Sequence, residues 1–506
     1  MNSYYFKEEH ELFRQSLRTF LEKEAIPHIE KWEEDRRIPR DIWKKMGNMG
    51  FLGLSYPEEY GGMGLDYFYD VVFNEELGRC NSGGFAITQQ VTQYMSGPYI
   101  LKYGSEDLKK KYLPGIIAGD LICSIGITEP GAGSDVQNIQ TKAIREGDHY
   151  IVNGSKTFIT NGVYGDFVIT VVKTDPSQGA KGVSLLVIEQ SMEGVSTRKL
   201  KKLGWHASDT AEISFDNVKV PVENLVGLEG RGFYYLMNGL QLERICGLPA
   251  GIAAMETAIS KALQYMSERQ AFGKPINRFQ VLRHRIAQLA SEVEAQKAFV
   301  YTCSKMYADG IYDVKLCSMA KLLVSELAEK VATQCLQFYG GYGFMEEYPL
   351  ARMYRDVRVG TIGGGSSEIM REIISKMIIE DVGYKAAPRT KSSSNGSQQS
   401  PSNKLTQGNG INDIVNAIQK QAASASPLGN TLKFDLGGQQ LMIDGTGDTN
   451  KVSAEDGTAD CTINVTMEDF QALISGNLNP MTAFMSGKLK IDGDMGVAMK
   501  LQSLFG

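Results

Sequence analysis

This 506-residue chain is poor in the residues that build metal and nucleophile centres. Its five histidines, His10, His28, His149, His206 and His284, stand singly along the sequence, so none pairs with another at the spacing of a metal site. No metal is expected. The seven cysteines include no CxxC pair and read as reduced thiols buried as small apolar groups. Cys246 lies one turn from Glu243, yet no histidine accompanies it as a thiol nucleophile needs. No apolar run is long enough to span a bilayer. The opening Met1 to Glu11 is acidic, unlike a targeting peptide, and Leu504-Phe505-Gly506 is not a peroxisomal address. A cytoplasmic location is the expectation. A basic excess is also missing: the net charge of -6 leaves little to neutralise a phosphate backbone and argues against nucleic acid as a partner.

What is present divides into zones of different texture. The length and the 42% hydrophobic content suit several domains with ordinary cores. Residues 1–120 show helical periodicity, with Leu12, Leu17, Phe20 and Leu21 set on one face. Across 121–228 the period shortens to two, as in Phe167 to Val172 and Val183 to Ile188, which predicts a sheet or barrel. Long helical patterns return over 229–385, notably 285–306 and 314–339. Residues 386–409 are rich in Ser, Gln, Asn, Gly and Pro and predict a flexible tether, whose reach as a Ser/Gly-type coil is roughly 25–30 Å. A small α+β domain is expected over 410–506. Leu432, Phe434 and Leu436, then Cys461, Ile463 and Val465, then Leu489 and Ile491 alternate as half-buried strands. Asn479-Pro480 would open a helix at Met481 to Phe484, and Val497, Ala498, Leu501, Leu504 and Phe505 form a final apolar stripe.

Five strings carry more specific information. Gly126 to Asp135 reads Gly-Ile-Thr-Glu-Pro-Gly-Ala-Gly-Ser-Asp, whose glycines admit close approach of backbone to a flat or charged ligand. A plain turn is the alternative. Together with Lys156 to Gly162, Lys202 to Thr210, Arg269 to Lys274 and Gln337 to Phe344, that loop resembles the acyl-CoA dehydrogenases, in family order over residues 1 to about 385. The resemblance implies an N-terminal helical domain, a middle β-barrel domain and a C-terminal four-helix bundle. It also implies FAD, an acyl-CoA substrate, an electron-transferring flavoprotein as partner and a homotetramer. Within it, Thr128 and Thr160 meet the isoalloxazine edge beside Ile127, Gly133 and Ile159, Phe158 lies against the ring, and Ser134 faces both cofactor and acyl-CoA. Arg269, Phe279, Gln280, Gln337, Gly340 and Gly341 match the positions that hold the ADP half of a neighbouring subunit's FAD. Ser366 and Glu368 match further flavin contacts, although Ser366 replaces a common Thr and Glu368 a frequent Gln.

One departure from the pattern matters most. The family's reaction removes an α-proton beside the thioester, and the catalytic glutamate often stands at the position of Gly364, within Gly363-Gly364-Gly365. A glycine keeps only its backbone N–H, which in the family polarises the thioester oxygen. Either the chain is inactive or another base serves. Glu243, in Gln241-Leu242-Glu243-Arg244, stands where isovaleryl- and long-chain acyl-CoA dehydrogenases resemble this chain in carrying a glutamate. Glu243 is therefore the expected base, near the start of a long helix running to about Gln270, with Pro249 disturbing the turn behind it. Gln241, Arg244, Gly364, Gly365 and Ser134 are expected beside the substrate. A solvated surface pair is the bland alternative for Glu243-Arg244, and Glu368 is the rival carboxylate.

The C-terminal segment is dense in methionine, at 442, 467, 481, 485, 495 and 499. Such side chains suit either a lipid cavity or ordinary gap-filling. Asp460 to Ile463, Gly476 to Phe484 and Gly487 to Gly496 resemble sterol carrier protein domains, which hold acyl-CoAs and other lipids. The expected whole is an FAD-dependent acyl-CoA dehydrogenase for long or branched chains, making trans-2-enoyl-CoA, with a tethered lipid or acyl-CoA carrier. An acyl-CoA oxidase and an inactive lipid-binding flavoprotein scaffold stay open.

Overall fold

The structure, a computed structural model, describes residues 2–380 and, beyond them, 418–419, 427, most of 429–474 and 489–493. The chain divides into two compact units, Met1–Thr390 and Lys391–Gly506.

In the first unit, helices occupy the chain up to Ile117, strands lie between Cys123 and Pro221, and helices return from Gly232. The Glu8–Glu24 helix buries His10, Arg14, Leu17 and Leu21, a stripe of every third or fourth residue. Leu12 departs from the sequence expectation: it is 60% exposed, because it lies on the far side of the helix from that stripe. Arg14 enters the buried stripe because its guanidinium donates to Glu75 at 2.6 Å. Glu75 belongs to the Tyr67–Arg79 helix, which is buried along most of its length. That helix packs closely on Leu248–Glu268. A Cβ at Gly78 would lie 2.2 Å from the Ala250 carbonyl oxygen. One apolar core therefore joins early residues such as Phe6, Leu17 and Phe73 to late ones such as Leu242, Tyr301 and Met353.

Seven strands form the middle sheet: β1 (Cys123–Gly126), β2 (Lys142–Glu146), β3 (His149–Thr160), β4 (Phe167–Lys173), β5 (Val183–Glu189), β6 (Val195–Lys199) and β7 (Thr210–Pro221). Their order is β1-β4-β2-β3-β7-β6, with β5 on β4. Residues Phe167 to Val172 and Val183 to Ile188 are buried without interruption. Their period of two survives as a division between two cores. Phe167, Ile169, Val171, Leu185 and Val187 join Ile100, Tyr112 and Leu113 of the N-terminal helices. Val168, Val172, Leu186 and Ile188 join Tyr150, Val152 and Phe215 within the sheet.

Strand β3 slips register against β7 between Lys156 and Ile159. At this bulge Phe158 takes a left-handed φ of 62° and is 70% exposed, a strained setting for an aromatic residue. Lys156 turns inward and is fully buried. Its Nζ donates to Glu129 Oε1 at 2.7 Å and to the Ile127 carbonyl at 3.2 Å. Burial pushes the Glu129 carboxyl up, but the Lys156 charge and hydrogen bonds from Lys156 and Thr141 outweigh it and hold the group below the usual range. This pair fastens the Gly126 to Asp135 loop to the sheet.

The C-terminal unit has a five-stranded sheet among its described residues, ordered Lys451–Ser453, Gln440–Asp444, Thr431–Asp435, Cys461–Val465, Leu489–Gly493. Leu432, Phe434, Leu441, Ile443, Cys461 and Ile463 are fully buried with Phe470 of the Met467–Ile474 helix. The tether, the helix starts at Asn479 and Val497, and Met481, Met485, Met495 and Met499 lie outside the described residues. All seven cysteines are free and buried, and among the described residues no helix is long and apolar enough to cross a membrane.

Two stability outcomes are expected. Alanine in place of a helical glycine ordinarily stabilises by about 0.5–1 kcal/mol, but Gly78→Ala must push two helices apart and should destabilise by about 1–3 kcal/mol, seen as a lower thermal midpoint. Lys156→Met strands the buried Glu129 charge and should cost about 3–5 kcal/mol, with the same measurement deciding.

Candidate active site

The Gly232–Cys246 helix ends at Gly247, and Leu248–Glu268 begins there with Pro249 in its first turn. Glu243 thus lies in the last turn of a helix rather than near the start of a long one. Gly247 and, two residues on, the missing amide of Pro249 break the hydrogen-bond ladder at that point. The carboxyl of Glu243 is deep in the protein yet keeps some accessible surface, so it borders internal space. Burial pushes its pKa up to about 7, against the pull of a Tyr99 hydrogen bond and the Arg244 charge.

Tyr99, on the Gly97–Tyr103 helix, donates from Oη to Glu243 Oε1 at 2.6 Å. Gly239, one turn before Glu243, makes room for the phenol: a Cβ there would lie 2.1 Å from Tyr99 Oη. Sequence reasoning missed this pair. Tyr99 is 144 positions away, and the only trace of the contact is a glycine interrupting a helical pattern, a sign of close approach.

The Val314–Phe338 helix forms a shared wall. Gln241 Nε2 reaches Cys317 Sγ at 3.5 Å, Arg244 Nη1 reaches Ser318 Oγ at 3.5 Å, and Lys321 Nζ donates to the Gly365 carbonyl at 2.5 Å. Successive turns of one helix therefore tie the Glu243 segment and the glycine loop to a common support. Burial, with Arg244 adding to it, lowers Lys321 to about 8. Gly364 has a φ of 64°, and a Cβ there would meet nothing within 4 Å, so its backbone is open to a ligand. Glu368 is exposed beside Arg358 and Arg371 in a cavity of about 450 Å³ that Ser366 also lines. Its own backbone N–H and the Ser366 hydroxyl hold its carboxyl below the ordinary range, which makes it a weaker base than Glu243.

The other expected residues fall into two groups. Thr157 N donates to the Thr128 carbonyl at 2.8 Å, which sets Ile127 and Thr128 beside Phe158, Ile159 and Thr160. Gly133 and Ser134 follow, exposed, in the same loop. Arg269, Gln337, Gly340 and Gly341 line a second cavity, of about 560 Å³. Phe279 and Gln280 stand at the start of the Gln280–Ala308 helix, with the Lys274 ammonium 4.5 Å from the Phe279 ring. An exposed ring on a strained bulge suits a flat aromatic group, and a cavity with a cation and two glycines free of contacts at their Cβ positions suits a phosphate-bearing one. Both fit FAD.

Known proteins agree in extent. Residues 7–120, 124–218 and 230–379 match the N-terminal, middle and C-terminal domains of acyl-CoA dehydrogenase. Residues 411–506 match the SCP-2 sterol transfer family. The mitochondrial long-chain specific acyl-CoA dehydrogenase of Mus musculus is 40% identical over 381 residues, 74% of this chain and 88% of that one. The mitochondrial isovaleryl-CoA dehydrogenase of Solanum tuberosum is 36% identical over 379 residues, 74% and 92% of the two chains. Among solved structures, an acyl-CoA dehydrogenase from Geobacillus kaustophilus aligns with TM-score 0.73 at 46% identity, covering 74% of this chain and 99% of its own. A glutaryl-CoA dehydrogenase from Mycobacterium smegmatis in complex with FADH2 aligns with TM-score 0.71 at 26% identity, covering 76% and 97%. The chain therefore belongs to the acyl-CoA dehydrogenase family, is an enzyme of that family's oxidoreductase type, and carries an SCP-2 domain at its C-terminal end.

Proposed function

We propose that this enzyme dehydrogenates an acyl-CoA of long or branched chain to the trans-2-enoyl-CoA, with Glu243 as the base. One observation carries the reading: Glu243 is a deeply set carboxyl with accessible surface and a pKa pushed up to about 7, where a general base is most effective at neutral pH. The α C–H bond breaks, its proton goes to Glu243, and the β-carbon releases hydride. FAD, when bound, supplies the acceptor for that hydride.

The chain's own residues bind and orient. Thr128, Phe158 and Thr160, with Ile127, Gly133 and Ile159, hold the flavin ring. Arg269, Phe279, Gln280, Gln337, Gly340 and Gly341 hold the ADP half across a subunit boundary of a homotetramer, and Ser366 and Glu368 add contacts. Exposed Phe272 and Phe344 lie close in sequence to Arg269 and Gly341, which supports an apolar contact between subunits. The Gly364 backbone N–H polarises the thioester oxygen, with Gly365, Ser134, Gln241 and Arg244 around the substrate. The long or branched chain rests on the long-chain and isovaleryl relatives and on the SCP-2 domain, which is best used to carry a poorly soluble lipid or acyl-CoA. We assign electron transfer onward to an electron-transferring flavoprotein and place the enzyme in the cytoplasm, a reducing compartment that suits the seven free buried cysteines.

Anaerobic mixing with acyl-CoAs from short to long and branched, following flavin absorbance, tests the reading. Glu243→Gln should slow bleaching by about 10²–10⁴ with FAD still bound. Equal bleaching would move the base elsewhere, and peroxide release in air would favour an oxidase. The pH dependence has a definite sign. Below its pKa the Glu243 carboxyl already carries a proton and cannot take another, so the bleaching rate should rise with pH through about 7 and level off above it.

A further inference from the structure

We propose that Tyr99 is the positioning residue of the base: its hydroxyl fixes one oxygen of the Glu243 carboxylate and stabilises the charged form, leaving the other oxygen to receive the α-proton. This rests on the reading of Glu243 as base.

The geometry is specific. Tyr99 is 2% exposed and donates to Oε1 at 2.6 Å from a different helix. Among the described residues no other hydrogen bond reaches the Glu243 carboxylate, while the side chain keeps accessible surface. One oxygen is anchored and the other faces space. A phenol suits the task because it holds its proton far more tightly than a carboxyl. Burial and the Glu243 charge raise Tyr99 further above its ordinary range. The bond is therefore charge-assisted when Glu243 is ionised and weakens once the carboxyl accepts a proton. It opposes the desolvation that would otherwise neutralise the base, and it stops the carboxylate from rotating away. The Gly239 gap shows that the helix is shaped to admit this phenol.

The surrounding titratable and charged groups define the controls. Arg244 and Cys246 share the helix of Glu243, and Tyr103 shares that of Tyr99. Tyr312 faces Tyr99, while Cys317 and Lys321 stand on the shared wall. Tyr67, Tyr94 and Asp70 approach Cys246 from the helical layer below. Asp70 matters most: it is fully buried, accepts from Tyr94 at 3.0 Å, and burial pushes it to about 7.

The experiment uses the full FAD-loaded chain. Reductive bleaching is measured from pH 5 to 10 in the wild type, Tyr99→Phe, Gly239→Ala, Asp70→Asn and Glu243→Gln. The protonated-carboxyl infrared band, assigned by its loss in Glu243→Gln, is titrated alongside. Tyr99→Phe keeps the ring and removes the donor. Its bleaching and infrared midpoints should both rise by about one pH unit, giving a several-fold slower rate at pH 7 that largely recovers near pH 9. Gly239→Ala, which displaces the phenol, should move both midpoints the same way, and Asp70→Asn should leave them in place. A uniform loss in Tyr99→Phe with unmoved midpoints would reduce Tyr99 to packing and overturn the proposal. So would a midpoint that follows Asp70→Asn. Undiminished bleaching in Glu243→Gln would instead remove the base reading itself, a result separable from either.

Discussion

The base proposed for this protein, Glu243, has to be buried and charged together, and that tension bears on the structure around it. In water a glutamate has a pKa of about 4.3 and is too weakly basic to compete for a proton beside a thioester. Complete burial without a partner would neutralise it. Glu243 sits between these limits because one phenol and one neighbouring guanidinium oppose its desolvation. The helix break at Gly247 and the gap at Gly239 both serve that placement.

With Glu243 as the proposed base, the carboxylate stands on a helix instead of the glycine loop, which changes what each element must do. A helix holds a side chain more firmly than a loop, and the loop no longer has to aim one. Gly364 can present bare backbone, and Lys321 pins the adjacent carbonyl to the same helix that supports Gln241 and Arg244. In the proposed reaction, the alignment of base and thioester would be referred to that single helix. On the other side, the Lys156–Glu129 pair plays the matching part, fastening the loop beside the Phe158 bulge.

Much of this was legible in the sequence because it is local. Alternation in Phe167 to Val172 marked a strand, and only the structure revealed that its two faces serve two separate cores. The glycine at 364 and the glutamate at 243 were visible through ordered motifs. Leu12 was misplaced because a buried arginine and histidine, each with a polar partner from a distant segment, took the stripe that periodicity assigned to apolar residues. The helix around Glu243 was misjudged because a glycine and a proline two residues apart divide it, where the pattern reads as continuous. Tyr99 and Lys321 escaped notice because hydrogen bonds between distant segments leave no periodic signal.

The shared core of the first unit also bears on how the chain is made. Phe6, Leu17 and Phe73 pack with Leu242, Tyr301 and Met353, and the whole sheet lies between them in sequence. Synthesis runs from the N-terminus at about 5–20 residues per second. Part of the apolar surface of these first helices is therefore left uncovered until the sheet and the helices after it have been made. The middle sheet can close on its own inner core sooner, since Tyr150, Val168, Leu186 and Phe215 all come from one stretch. The contact of Tyr99 with Glu243 is likewise formed late, so the proposed base is assembled only once the helix that follows the sheet has been made.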